Sequence, residues 1–295
     1  MLFRSRRGSS HSTTRFCPTL FWSICGLDKR AKHTLPSRTY GELVCTAGFL
    51  ENGKWIRIYP ISYRFLADSK KYPKYGWVNL DLVRNDKKDF RPESYRPAMG
   101  NDEDIHLIGE VSTANNWAAR KEYVLREVFT SMNELIVRAK SEERKSLATL
   151  KPSEIVDFVI EDDEREWKKE WLEQLKQMSL FELDDRGQGK ERKVVRKLPY
   201  KFYYRLLSDG DNQPRQMMIE DWEIGQLYWN CLARTDGDEE AAKQLVRQKY
   251  YDEFVSQKDL YLFLGTTLQY HGVAPNPFVI IGVFYPPKTP QLSLF

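Results

Sequence analysis

The chain is short of the residues that usually announce a catalytic or metal centre. Its four cysteines, Cys17, Cys25, Cys45 and Cys231, are scattered without CxxC spacing. They indicate neither a zinc site nor a disulfide framework, and a reducing cytoplasm suits them. The four histidines, His11, His33, His106 and His271, lie far apart. P-loop, Gly-x-Gly-x-x-Gly, HExxH and Gly-x-Ser-x-Gly signatures are all missing, so no cofactor or metal is expected. Apolar runs stay below the eighteen or so residues of a membrane-spanning helix, so no membrane partner is expected. His271, in a loop before Pro275 and Pro277 and close to Thr266, Thr267 and Tyr270, is the one catalytic candidate. An enzyme assembled from dispersed residues is not excluded.

What is present describes a folded protein: 295 residues, 41% hydrophobic and 13% aromatic, enough for one large domain or two small ones. The net charge of +4 is unevenly placed. Residues 1–38 hold eight basic residues against Asp28, a net of +7, which leaves −3 for the rest. Only local patches can therefore argue for nucleic acid. Residues 1–38 read as a basic disordered tail or a non-native extension, with an organellar targeting segment as a third reading.

From Tyr40 the pattern turns to strands. Residues 40–50 and 54–60 flank Glu51-Asn52-Gly53, a hairpin signal, with further strands at 77–83 and 105–111. Residues 39–112 are thus a β-rich, barrel-like module. In its second strand Trp55, Arg57 and Tyr59 alternate with Ile56 and Ile58, which gives one aromatic-basic face. Lys70, Lys71, Tyr72, Lys74 and Tyr75 follow, cations beside rings as single-stranded or flipped-out nucleic acid requires, or an ordinary solvated loop.

Residues 117–183 read as a helical segment, with a helix over 118–140 and a tryptophan helix whose stripe of Trp167, Trp171, Leu175 and Met178 follows the acids at 161–166. Residues 192–285 read as a second mixed sheet with two helices, capped by Asp221 and Asp238 and packed on it. Its first segment carries Arg192, Lys193, Arg196, Lys197, Lys201 and Arg205 interleaved with Tyr200 and Tyr203. This is the preferred nucleic-acid contact; a lysine-protected edge strand would look the same. The fold class is α+β.

Beyond the prolines of Tyr285-Pro-Pro-Lys-Thr-Pro290 stand Gln291, Leu292, Ser293, Leu294 and Phe295. This pentapeptide resembles the Gln-Leu-Ser/Asp-Leu-Phe motif with which bacterial replication and repair proteins dock on the DNA polymerase sliding clamp. The resemblance implies that Gln291 is a polar anchor, that Leu292 and Leu294 fill a groove and that Phe295 enters its deepest part. Gln177, Met178, Leu180 and Phe181 fit the same pattern around Ser179, or end the tryptophan helix. The β-rich module is similar at fold level to base-reading barrels of the PUA and ASCH group. The function expected is a DNA-associated accessory protein, recruited to replicating or repaired DNA through the clamp and binding single-stranded or modified DNA. Alternatives are a clamp-delivered nuclease or base-processing enzyme, and an interaction module unrelated to nucleic acid.

Overall fold

A computed structural model describes residues 44–61, 63, 66, 71–98, 105–167, 169 and 196–288, with the backbone alone at 12–23 and 44. The protein is α+β, built from two sheets and the helices beside them.

The first sheet contains β1 (Ser12–Ser23), β2 (Val44–Leu50), β3 (Trp55–Ile61), β4 (Gly76–Arg84), β5 (Ser94–Pro97) and β6 (His106–Glu110). Pairings β1–β2, β2–β3, β3–β5, β5–β4 and β4–β1 return to their start, so five strands close a barrel and β6 extends it along β4. The expected hairpin joins β2 to β3, with Gly53 at φ 78° where a side-chain-bearing residue would be strained. Residues 12–23, assigned to the tail on charge alone, form the closing strand. Ile56, Ile58, Tyr72, Val78, Leu80 and Leu82 fill the interior.

The helix expected over 118–140 is divided. Helix α1 (Ala114–Val124) opens with positive φ at Asn115, Asn116 and Trp117, and α2 (Met132–Lys140) is capped by Ser131. Between them Val128–Phe129, β7, pairs parallel to β8 (Leu147–Leu150). With β9 (Glu154–Asp162), β10 (Tyr200–Leu207), β11 (Arg215–Ile219), β12 (Tyr261–Thr266) and β13 (Phe278–Phe284) these make a mixed seven-stranded sheet, ordered β7-β8-β12-β13-β11-β10-β9. Residues 147–162 lie in the segment read as helical overall, with a short strand expected at Leu150 to Ile160; the structure has two strands there, β8 and β9, both belonging to this sheet.

Helices α3 (Trp222–Arg234) and α4 (Glu239–Arg247) cover one face of this sheet, with Ile224, Tyr228, Cys231, Ala242 and Val246 buried against it. Helix α4 continues through a π-helical turn, Gln248–Glu253, into α5 (Phe254–Gln257). The other face meets the barrel: Phe49, Trp55 and Tyr75 pack with Leu147, Phe263, Ile281 and Phe284, and Trp55 lies edge-on to Phe263 at 5.5 Å. No helix among the described residues is long and apolar enough to cross a membrane.

Candidate functional site

Most of the aromatic and basic positions singled out in the barrel serve its junction with the sheet. Alternation along β3 is as expected, but the face of Trp55, Arg57 and Tyr59 is turned to the second sheet and not to solvent. Arg57 is 1% exposed; its guanidinium donates to Ser146 Oγ (2.7 Å), Ser146 O (3.2 Å) and Thr266 O (3.4 Å). Burial, followed by repulsion from Arg91, lowers its pKa to about 10. Ser146 in turn donates to Glu93 (2.7 Å), and Arg91 clamps Asp89 (2.5 Å) and donates to Thr266 O. His271 belongs here. Its Nδ1 meets Thr266 Oγ1 at 2.7 Å, its ring lies edge-on to Phe90, and burial with the nearby Arg91 lowers its pKa. A buried ring held by Thr266 beside cations suits a hydrogen-bonding role in the loop.

Tyr72 lies inside the barrel and Tyr75 at the junction, with the Arg120 guanidinium 4.0 Å from the Tyr75 ring, so neither offers a face to a base. Lys71 is exposed, and Lys70 lies outside the described residues.

The cationic strand is likewise taken up. β10 runs between β9 and β11, not at an edge. Lys201 and Lys197 reach Asp163 at 3.4 and 3.9 Å, and Arg196 lies 3.8 Å over the Trp229 ring. Tyr200 donates to Glu239, while Tyr203 contacts Glu161. Arg205 remains exposed. The acids at the end of β9 thus neutralise the lysines that sequence reading offered to phosphate. Arg192 and Lys193, the internal motif at 177–181 and the terminal peptide at 291–295 lie outside the described residues. Among those residues, no three His, Cys, Asp or Glu side chains gather in a metal-holding group.

A different set of residues does surround an open space. Between the barrel loop and helix α3 lies a cavity of about 410 Å³. Its aromatic lining comes from Tyr63, Trp222, Tyr250, Phe254 and Tyr285, and its polar lining from Lys74, Asp221, Glu223, Gln226, Asn230 and Lys249. Four segments remote in sequence supply them.

Helix α3 presents Trp222, Gln226 and Asn230 at i, i+4 and i+8 along the cavity, while Ile224, Tyr228 and Cys231 face the sheet. Gln226 Nε2 donates to Asn230 Oδ1 (2.9 Å), and both side chains line the cavity. Asp221 caps the helix: its Oδ1 accepts from the Glu223 N–H at 2.9 Å. Its Oδ2 is buried and has no hydrogen-bond partner among the described residues. Burial, aided by the Glu223 charge, pushes this carboxyl up to about 7, against a smaller opposing pull from Lys74.

From the barrel, Lys74 reaches Glu223 at 2.6 Å; burial alone would lower its pKa, but the pair raises it. The backbone at Tyr75 takes a positive φ of 64°, which turns the chain sharply from Lys74 into β4. The far wall is the π-helical turn, whose wider winding brings two successive residues, Lys249 and Tyr250, to the cavity. Lys249 pairs with Glu253 (2.7 Å), and Tyr250 packs on Phe254 at 5.1 Å. Tyr285, just past β13, stacks on Phe254 with centroids 4.0 Å apart and planes 18° from parallel. Tyr63 is edge-on to Trp222 at 6.4 Å. The result is an aromatic cleft with a few converging polar groups, one of them a carboxyl poised near neutrality.

The boundary between the two halves also appears in comparisons with known families. A model described as domain of unknown function DUF8757 matches residues 128–295. The chain belongs to the DUF8757 family. A second model, domain of unknown function DUF8758, matches residues 32–126, so the division falls between α1 and β7. No curated protein matches the chain. The cavity spans both regions: DUF8757 contributes Asp221 to Tyr285, and the DUF8758 region contributes Tyr63 and Lys74. The DUF8757 match also takes in the terminal peptide.

Sequence reading misses this site because Asp221 signals only a helix cap, and Lys74 reads together with Tyr72 and Tyr75, which are buried. The π-helical turn, common at functional sites, leaves no mark in the residue pattern of 239–254.

Proposed function

We propose that this protein is a DNA-associated accessory factor. It is recruited to replicating or repaired DNA through the sliding clamp by Gln291–Phe295, and it takes an unstacked base of single-stranded or modified DNA into the cavity beside α3. The observation that carries the reading is that cavity: about 410 Å³, with the stacked Phe254 and Tyr285 rings on one side, Tyr63 and Trp222 on the other, and hydrogen-bonding groups between. Rings stack on any base, which gives sequence-tolerant affinity of about 1–3 kcal/mol each.

The position of the tether supports the recruitment half. Pro286 O accepts from Asp259 N, Pro287 bridges to Lys258, and Lys288 donates to Ser256 O (2.6 Å). Tyr285, the residue before them, lines the cavity. Only Thr289 and Pro290 separate Lys288 from Gln291, a reach of about 10 Å in extended chain. A peptide docked on the clamp would hold the cavity close to the DNA threaded through it.

The test has two arms. Binding to a bacterial sliding clamp is expected at micromolar strength and is lost on deleting Gln291–Phe295 or on Leu294→Ala with Phe295→Ala. Binding to labelled single-stranded DNA at low salt is expected to survive both changes. Clamp binding that survives them rejects the terminal motif, and absence of DNA binding at low salt favours an interaction module of another kind.

A second reading has its own support. A carboxyl near pKa 7 in a cleft suits general acid–base chemistry, so Asp221 would serve a base-processing hydrolase. Release of free base or of a cleaved strand from labelled DNA, abolished by Asp221→Asn, would establish it.

A further inference from the structure

The hydrogen-bonding groups of the cavity favour donors. Asp221 is 6% exposed, with Oδ1 committed to the Glu223 N–H and Oδ2 left without a hydrogen-bond partner among the described residues. The groups acting on it come from every wall: Glu223 on its own helix, Lys74 from the barrel, Tyr250 and Lys249 from the π-helical turn, and Tyr285 after β13. Lys74 is paired with Glu223 at 2.6 Å and Lys249 with Glu253 at 2.7 Å. The pull of Lys74 on Asp221 is outweighed by burial and the Glu223 charge, so the acid in that position holds its proton more tightly than an ordinary carboxyl. Each ammonium still has N–H groups beyond the one its carboxylate takes. A proton on Oδ2 therefore makes Asp221 a further donor on a wall already served by two ammonium groups.

We infer that the cavity reads a keto nucleobase and that Asp221 is the residue that reads it: Oδ2–H donates to a ring carbonyl, while the carbonyl of Gln226, which lines the same cavity, accepts the adjacent ring N–H. The inference rests on the nucleobase reading above and narrows its ligand class. Thymine, uracil and guanine carry a carbonyl beside a ring N–H. Adenine and cytosine place an amino donor there, which would face the protein's donors unpaired and cost about tenfold or more in affinity. Since the protonated acid binds, affinity for the keto base is full at low pH and falls as pH rises through about 7, where the free carboxyl titrates.

The experiment is fluorescence anisotropy at fixed ionic strength and at several pH values between about 6 and 8.5. The probes are short oligothymidylate, oligodeoxyadenylate and oligodeoxycytidylate, tested against the full chain and its Asp221→Asn and Asp221→Ala variants. Equal phosphate charge makes the base the variable. Wild type is expected to prefer oligothymidylate about tenfold below pH 7 and to lose that preference above it. Asp221→Asn, whose amide N–H still donates, keeps the preference and loses the pH dependence; Asp221→Ala loses the preference at every pH. Affinity for oligothymidylate that rises with pH, a preference for the amino bases, or an Asn variant as poor as the Ala variant would overturn the assignment. Equal, pH-independent binding of all three probes leaves the nucleobase reading standing and removes this inference alone. Absence of binding by any probe removes both.

Discussion

Asp221 and Asp89 are both buried acids, and their surroundings drive them in opposite directions. Asp89 is held at about 2: burial would raise it, but the Arg91 guanidinium and the Ser94 hydroxyl outweigh that. Its contribution to folding is present above its ordinary value of 3.8 and is lost as pH falls through about 2. Asp221 stands at about 7, above the same ordinary value, so its contribution is fully present below about 4 and is lost as pH rises through 7. Asp221→Asn keeps a capping side chain and removes the buried charge. Its melting temperature, followed by calorimetry, is expected to exceed wild type by a few degrees at pH 8 and to match it at pH 5. Equal melting at pH 8 would show that the carboxylate is not strained. Asp221→Ala forfeits the cap as well and is expected to cost about 1 kcal/mol at pH 5. Nothing in the sequence separates Asp221 from Asp238, the other helix cap, because the difference is made chiefly by the burial of Asp221, aided by the Glu223 charge.

At the level of elements, local patterning was legible and the wet side of each element was not. The Asn52-Gly53 turn, the alternation of β3, the caps of α3 and α4 and the apolar runs of β12 and β13 follow from turn chemistry and period. Which face of β3 meets solvent depends on a sheet about ninety residues away, so Arg57 reads as a phosphate contact and is found as a buried clamp on Ser146. Arg57→Ala is expected to destabilise by about 3–5 kcal/mol, since it empties a fully buried position and removes the donors to Ser146 Oγ, Ser146 O and Thr266 O along with the cation facing Glu93. Urea unfolding measures this, and a loss under about 1 kcal/mol would contradict the clamp. The π-helical turn is open to a similar test. Deleting the exposed Asp252 restores regular α-helical pitch, displaces Phe254 from Tyr285, and is expected to abolish oligonucleotide binding while far-UV circular dichroism is retained.

Across the whole molecule, barrel and sheet share one apolar junction, cemented by the Arg57–Ser146–Glu93 and Arg91–Thr266 bonds, and the cavity opens where Tyr63 and Lys74 of the first meet α3 of the second. That position was illegible in the chain because its walls lie as far apart as Tyr63 and Tyr285. The end of the β-rich module near residue 112 was legible, since strands dominate before it; the helical segment read over 117–183 instead supplies three strands, β7, β8 and β9, to the second sheet. The central claim is that this junction receives an unstacked base. Anisotropy titration of labelled oligothymidylate with wild type and with Tyr285→Ala tests it most directly. Wild type is expected to bind at micromolar strength in low salt, and the variant about tenfold more weakly while its far-UV circular dichroism shows it still folded at the assay temperature. Equal binding by the two proteins, or no binding by wild type, would contradict it.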